Sequence, residues 1–190
     1  MPLVRGGYAP TNPEWLLAGS PDTRSAPRAN MSRYDAASDA AALTTQVLTT
    51  VALALQAGDI VTKIACKSGA TAAGTPTNYW FALYDPSGNL LQQTADQTTT
   101  AWAADTAKDL ALAAAVPISA SGTYYVGIMV KATTPPSLVG VTLGRAGVTA
   151  GILATDKIAS QTSGSGLTAT APATIATPTA IAAVPLVIAH

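Results

Sequence analysis

The stretch "NYWFALYDPSGNLL", residues 78–91, decides the fold. Read as a strand, it places Tyr79, Phe81 and Leu83 on one side and Trp80, Ala82 and Tyr84 on the other. Both sets are apolar or aromatic, so the strand belongs at the centre of a sheet, covered on both faces. The next residues form a turn. Asp85 can bond the backbone ahead of it, Pro86 fixes φ, and Gly88 or Asn89 can take a positive φ. "LLQQT", residues 90–94, then returns antiparallel.

Similar short runs surround this hairpin. Upstream, "QVLTTVALAL" (46–55) leads through "QAGD" into "IVTKIACK" (60–67). In the second run, period-two alternation sets Lys63 and Lys67 on one face and Ile60 and Ile64 on the other. "SGATAAGTPT" (68–77) is a loop of small residues. Downstream, "AWAADTAKDLALAAA" has a helix-forming composition, but "KDLALAA" also alternates and is read as a strand. "GTYYVGIMVKA" (122–132) is dense in aromatic and β-branched residues, and Pro135-Pro136 ends it. "VTLGRAG" and "GILATDKIA" are two further short strands in this reading, "SQTSGSG" a flexible loop, and "VPLVIA" a final strand. At least eight strands with little helix predict an all-β protein. Its architecture is an antiparallel β-sandwich of jelly-roll type, with a closed barrel as the alternative.

The first forty residues differ in character. They hold five of the thirteen prolines and four arginines, Arg5, Arg24, Arg28 and Arg33. Such proline density favours extended or turning backbone. "NPEWLLAG" can form one helical turn, with Asn12 as cap and Pro13 at the first position. Trp15, Leu16 and Leu17 then make an apolar plug. The expected organisation is an attachment arm at 1–40 and a sandwich domain at 41–190. Arg5, Trp15, Leu16, Leu17, Arg24, Arg28 and Arg33 are the partner-binding residues of that arm.

Composition narrows the function. Charged residues make up 11% of the 190, less than half of the roughly 25% usual in soluble domains. Ten basic and ten acidic residues cancel, which argues against nucleic acid as a partner and leaves self-association unopposed. Cys66 is the only cysteine and reads as a small buried hydrophobe. No run of apolar residues reaches membrane-spanning length, and "MPLVRGGYAP" lacks the apolar segment of a signal peptide. The expected site of assembly is therefore the cytoplasm.

Catalytic chemistry finds few candidates. His190 is the only histidine and stands last, where a positioned base is not expected. One His and one Cys cannot build a usual zinc site, and no calcium-loop spacing occurs. Glu14 is the only glutamate, Asp59 and Asp85 fit turns, and Asp105 and Asp109 fit a solvated face. The reading is a non-enzyme without metal or cofactor. The aromatics Tyr79, Trp80, Tyr84, Trp102, Tyr124 and Tyr125 offer one binding alternative. If Trp80, Trp102 and Tyr124 face outward, they could stack on sugar rings.

Residues 51–140 also carry a resemblance. The "W-x-A-L-Y-D-x-x-G-x-L" hairpin begins at Trp80, and "G-x-Y-Y-V-G-I-M-V" begins at Gly122. With the preceding "AGD" turn and small-residue loop, the segment resembles virion structural proteins of tailed phages of actinobacteria. These are head-decoration or minor tail proteins. The resemblance implies a capsid-associated decoration or cement protein whose arm docks on the major capsid protein or other virion subunits. It also implies a homo-oligomer, for which a trimer is suitable. A minor tail or baseplate protein that binds a receptor glycan is the alternative, and a carbohydrate-binding module the second. The segments 1–40 and 141–190 lie outside the resemblance.

Overall fold

A computed structural model describes residues 27–36 and 38–190. Thirteen strands account for nearly all of its regular structure. They are β1 (Arg28–Ala29), β2 (Ser38–Ala40), β3 (Leu48–Leu55), β4 (Ile60–Lys67), β5 (Asn78–Tyr84), β6 (Leu90–Gln93), β7 (Ala107–Pro117), β8 (Gly122–Lys131), β9 (Leu138–Thr142), β10 (Ser160–Ser163), β11 (Thr179–Ala180), β12 (Ala183–Pro185) and β13 (Val187–Ala189). A single helical turn, α1 (Ala146–Thr149), interrupts them.

All pairings between these strands are antiparallel. A six-stranded sheet runs β11-β10-β3-β8-β5-β6, and a four-stranded sheet runs β1-β13-β4-β7. A three-stranded sheet, β12-β9-β2, completes the set. The ribbon β3–β4 lies beside the ribbon β7–β8, with β3 on β8 in one sheet and β4 on β7 in the other. Both ribbons cross between the sheets at one corner. There Gly58 N donates to Ile118 O, and Ile118 N to Asp59 O, each at 2.8 Å. This pairing of ribbons across two sheets is the jelly-roll pattern anticipated above.

The inner faces meet in the main core. β3 contributes Val51, Leu53 and Leu55, β5 Tyr79, Phe81 and Leu83, and β8 Tyr124, Val126, Ile128 and Val130. The four-stranded sheet answers with Val61, Ile64, Cys66, Leu112, Val187 and Ala189. Trp102 fills the centre. Its ring lies 5.3 Å from Tyr79 and 5.8 Å from Phe81, and its Nε1 donates to Thr106 O at 2.9 Å.

Strand β5 is central and buried on both faces, as its sequence requires. Its second face packs in a smaller core with Leu48, Tyr125, Met129 and Ala171. The cover is the segment 164–178. Leu167, Ala171 and Ile175 pack down on Trp80 and Tyr84. Trp80 Nε1 donates to Thr168 O at 2.6 Å, and Tyr84 OH to Pro172 O at 3.1 Å. The turn after β5 also forms as expected. Gly88 takes φ +84°, and Asp85 Oδ1 accepts from the backbone N–H of Ser87 and Asn89 at 2.8 Å.

Four expectations need correction. In β4, Ile60 is half exposed while Val61 and Ile64 are buried, so the two isoleucines do not share a face. A bulge between Val61 and Lys63 shifts the alternation by one residue. "GILATDKIA" is irregular, and the strand lies one step later, at β10, within the supposed "SQTSGSG" loop. "VPLVIA" is two strands. Leu186 separates β12, which pairs with β9, from β13, which pairs with β4. Finally, β1 and β2 lie within 1–40 but belong to sheets, and Ala40 is in the buried core. The sandwich therefore starts no later than Arg28, not at residue 41.

Candidate functional site

The outer face of the four-stranded sheet carries a groove beside the first described residues. Its floor is one cross-strand row. Ala29 of β1 pairs with Ile188 of β13, Ile188 with Ala65 of β4, and Ala65 with Asp109 of β7. Two adjoining hollows of about 310 and 390 Å³ share Arg33, Ala65 and Ile188 in their walls. Pro27 and His190 line the first, while Lys67, Val139 and Leu186 line the second. The floor is thus small and aliphatic, and the charges sit at its rim.

The rim charges are of two kinds. Asp109 is engaged: Lys63 Nζ donates to its Oδ2 at 3.2 Å, and His190 Nε2 lies 2.9 Å from its Oδ1. Partial burial pushes the Asp109 carboxyl up, but these two contacts outweigh it and hold the group below the usual carboxylate range. Arg33 and Lys67 have no ion-pair partner among the described residues. Two free cations therefore flank an apolar floor, which suits a partner segment with an apolar side chain beside a carboxylate.

The backbone of His190 is tied to β4. Its carbonyl oxygen accepts from the Thr62 and Lys63 N–H groups at 2.7 Å each, and its own N–H donates to Lys63 O at 3.0 Å. The bulge in β4 turns both of those donors toward the chain end. Cys66 lies beneath, buried, and desolvation pushes its thiol well above the ordinary range. A thiol held protonated in this way is a poor nucleophile. Among the described residues, no group of three or more His, Cys, Asp or Glu side chains is placed to hold a metal ion.

The anticipated site residues fall into three groups. Arg5, Trp15, Leu16, Leu17 and Arg24 lie outside the described residues. Arg33 is exposed at the groove rim. Arg28 instead turns into the sandwich. It grips Asp59 with two hydrogen bonds of 2.8 and 2.9 Å, so it anchors the chain rather than presenting itself to a partner.

The outward aromatics require the largest correction. Trp80, Trp102 and Tyr124 are 0%, 1% and 5% exposed. Trp102 and Tyr124 face the main core, and Trp80 lies under the 164–178 cover. No stacking platform is left among them. Asp109 and His190, set aside above as a solvated carboxylate and a chain end, are the polar groups actually brought together. No local motif announces that pair, because the β13–β4 and β4–β7 pairings together create it.

No family model, curated protein or solved structure is significantly similar to the chain.

Proposed function

We infer that this protein is a non-enzymatic structural subunit of a phage virion, a capsid-associated decoration or cement protein. Its N-terminal segment and the adjoining groove are its means of attachment. The observation that carries this reading is the position of Pro27 and Arg33 at the groove. The chain enters the sandwich at the same face that offers an apolar floor and two free cations. The described chain therefore begins beside the groove. Repeated over a symmetric lattice, weak contacts of this kind hold a subunit by avidity. The resemblance over residues 51–140 and the low surface charge support the same reading.

The competing reading, a minor tail or baseplate protein that binds glycans through outward aromatics, loses its main support because Trp80, Trp102 and Tyr124 are buried. A free carbohydrate-binding module loses the same support. Quantitative mass spectrometry of purified particles tests the proposal. Hundreds of copies per particle are expected, together with loss of incorporation when residues 1–26 are deleted. A few copies per particle would move the protein to the tail, and absence from particles would end the virion reading.

A further inference from the structure

The covered face of the six-stranded sheet contains polar groups that its packing does not satisfy. Gln161 of β10 is 3% exposed, and Tyr125 of β8 is 6% exposed. Neither the Gln161 amide nor the Tyr125 hydroxyl has a hydrogen-bond partner among the described residues. Thr50 pairs directly with Gln161 across β3–β10, so both side chains project from the same face. The Thr50 hydroxyl is fully buried and also lacks a partner. A buried polar group without a partner costs about 1–3 kcal/mol, so Thr50 alone on this face calls for ordered water, whereas the Gln161 amide and the Tyr125 hydroxyl reach the hollow beside them and keep their hydrogen-bonding capacity for what enters it.

Gln161 and Tyr125 open into a hollow of about 240 Å³. That is room for several water molecules or one small ring. Ile175 and Pro178 supply apolar wall, while Ser87, Asp156 and Lys157 supply the mouth. The lining charges, one carboxylate and one ammonium, cancel. A charged ligand gains little in such a site. A neutral ligand with several hydroxyls and one apolar face gains on both counts, because the amide and the hydroxyls can each donate and accept.

We propose that this hollow is a binding site for a single neutral pyranose ring, with Gln161 and Tyr125 as its buried polar contacts. It lies on the six-stranded sheet, away from the attachment groove, and does not depend on whether the protein sits on capsid or tail. It also replaces the aromatic platform with a different mode of recognition, hydrogen bonding at the edge of the 164–178 cover.

The test is a nuclear magnetic resonance titration of the ¹⁵N-labelled full chain with glucose, galactose and N-acetylglucosamine, and with inorganic phosphate as the charged control. The expected result is a saturable shift of the Gln161 side-chain amide by at least one sugar. The Kd should be about 1–10 mM, with no response to phosphate. Gln161→Ala should weaken binding about tenfold. Should that variant fail to fold, Lys157→Ala at the exposed mouth should weaken it about threefold. No saturable shift with any of the three sugars, a shift unchanged in both variants, or a response to phosphate alone would overturn the proposal.

Discussion

Arg28 and Asp59, 31 positions apart, are joined by two parallel hydrogen bonds, Nε to Oδ2 at 2.9 Å and Nη2 to Oδ1 at 2.8 Å. Asp59 Oδ2 also accepts from the Gln56 N–H at 2.9 Å, within the corner where both ribbons change sheets. One carboxylate thus fixes the chain entry and the corner together. Breaking a fully buried ion pair costs roughly 3–5 kcal/mol. Arg28 keeps a quarter of its side chain exposed, so Arg28→Ala should cost about 2–3 kcal/mol. Arg28→Lys should recover only part of that, since an ammonium cannot form the fork. The midpoint of urea unfolding reads both values.

The same pair makes stability depend on acid. Burial pushes the Asp59 carboxyl up, and Arg28 and the Gln56 amide more than offset it, so its folded pKa is depressed. A depressed carboxylate contributes stability above its unfolded pKa of about 3.9 and loses it as pH falls through the folded value. Thermal unfolding should therefore show a falling melting temperature below about pH 4. In Asp59→Asn that acid-dependent loss should be smaller. An equal loss in both proteins would assign the effect to other carboxylates.

Gly127 is required by packing. A Cβ there would stand 2.9 Å from both Leu48 Cδ1 and Tyr84 Cε2. Gly127→Ala should destabilise by about 1–3 kcal/mol through overpacking. Pairing it with Leu48→Ala, which vacates one of the two contacts, should give a sub-additive loss.

The cover over β5 should respond separately from the core. Trp80→Phe removes the bond to Thr168 O and leaves a gap under Leu167 and Ala171. Hydrogen exchange should then accelerate at the Leu90, Leu167 and Ile175 amides, which bond between the cover and the sheet. The Val126 amide, deep in β8, should exchange at its wild-type rate until global unfolding.

Attachment can be separated from folding. Deleting residues 1–26 leaves β1 and the Arg28–Asp59 ion pair in place, so the chain should still unfold in one cooperative transition. Arg33→Glu reverses one free cation at the groove and should leave the unfolding midpoint unchanged. If the groove is the docking face, both changes lower the copy number in assembled particles.

The hairpin at 78–94 and strand β8 were legible because their signals are local: two-sided apolar alternation, one turn, and a dense aromatic run. The register of β4 was not. Its alternation reads cleanly through Ile60 and Ile64, and only the pairing with β7 shows the bulge that separates them. The outward aromatics failed for a related reason. Alternation correctly gives Trp80 a second face, but it cannot say that residues 164–178, low in complexity and low in charge, fold back over that face. The candidate groove was legible only in Arg33, because its floor joins residues 29, 65, 109 and 188, which no short window contains.

Strand β13 sits between β1 and β4, so the middle of the four-stranded sheet is supplied by residues 187–189. During synthesis, every other described strand leaves the ribosome before β13. Until residue 189 emerges, β1 has no strand to pair with and the inner faces of β3, β5 and β8 lack part of their cover. For that interval the nascent chain exposes apolar surface while carrying few charges to keep it from other nascent chains. Slower synthesis of residues 187–189 therefore lengthens the interval in which that apolar surface is open to other nascent chains.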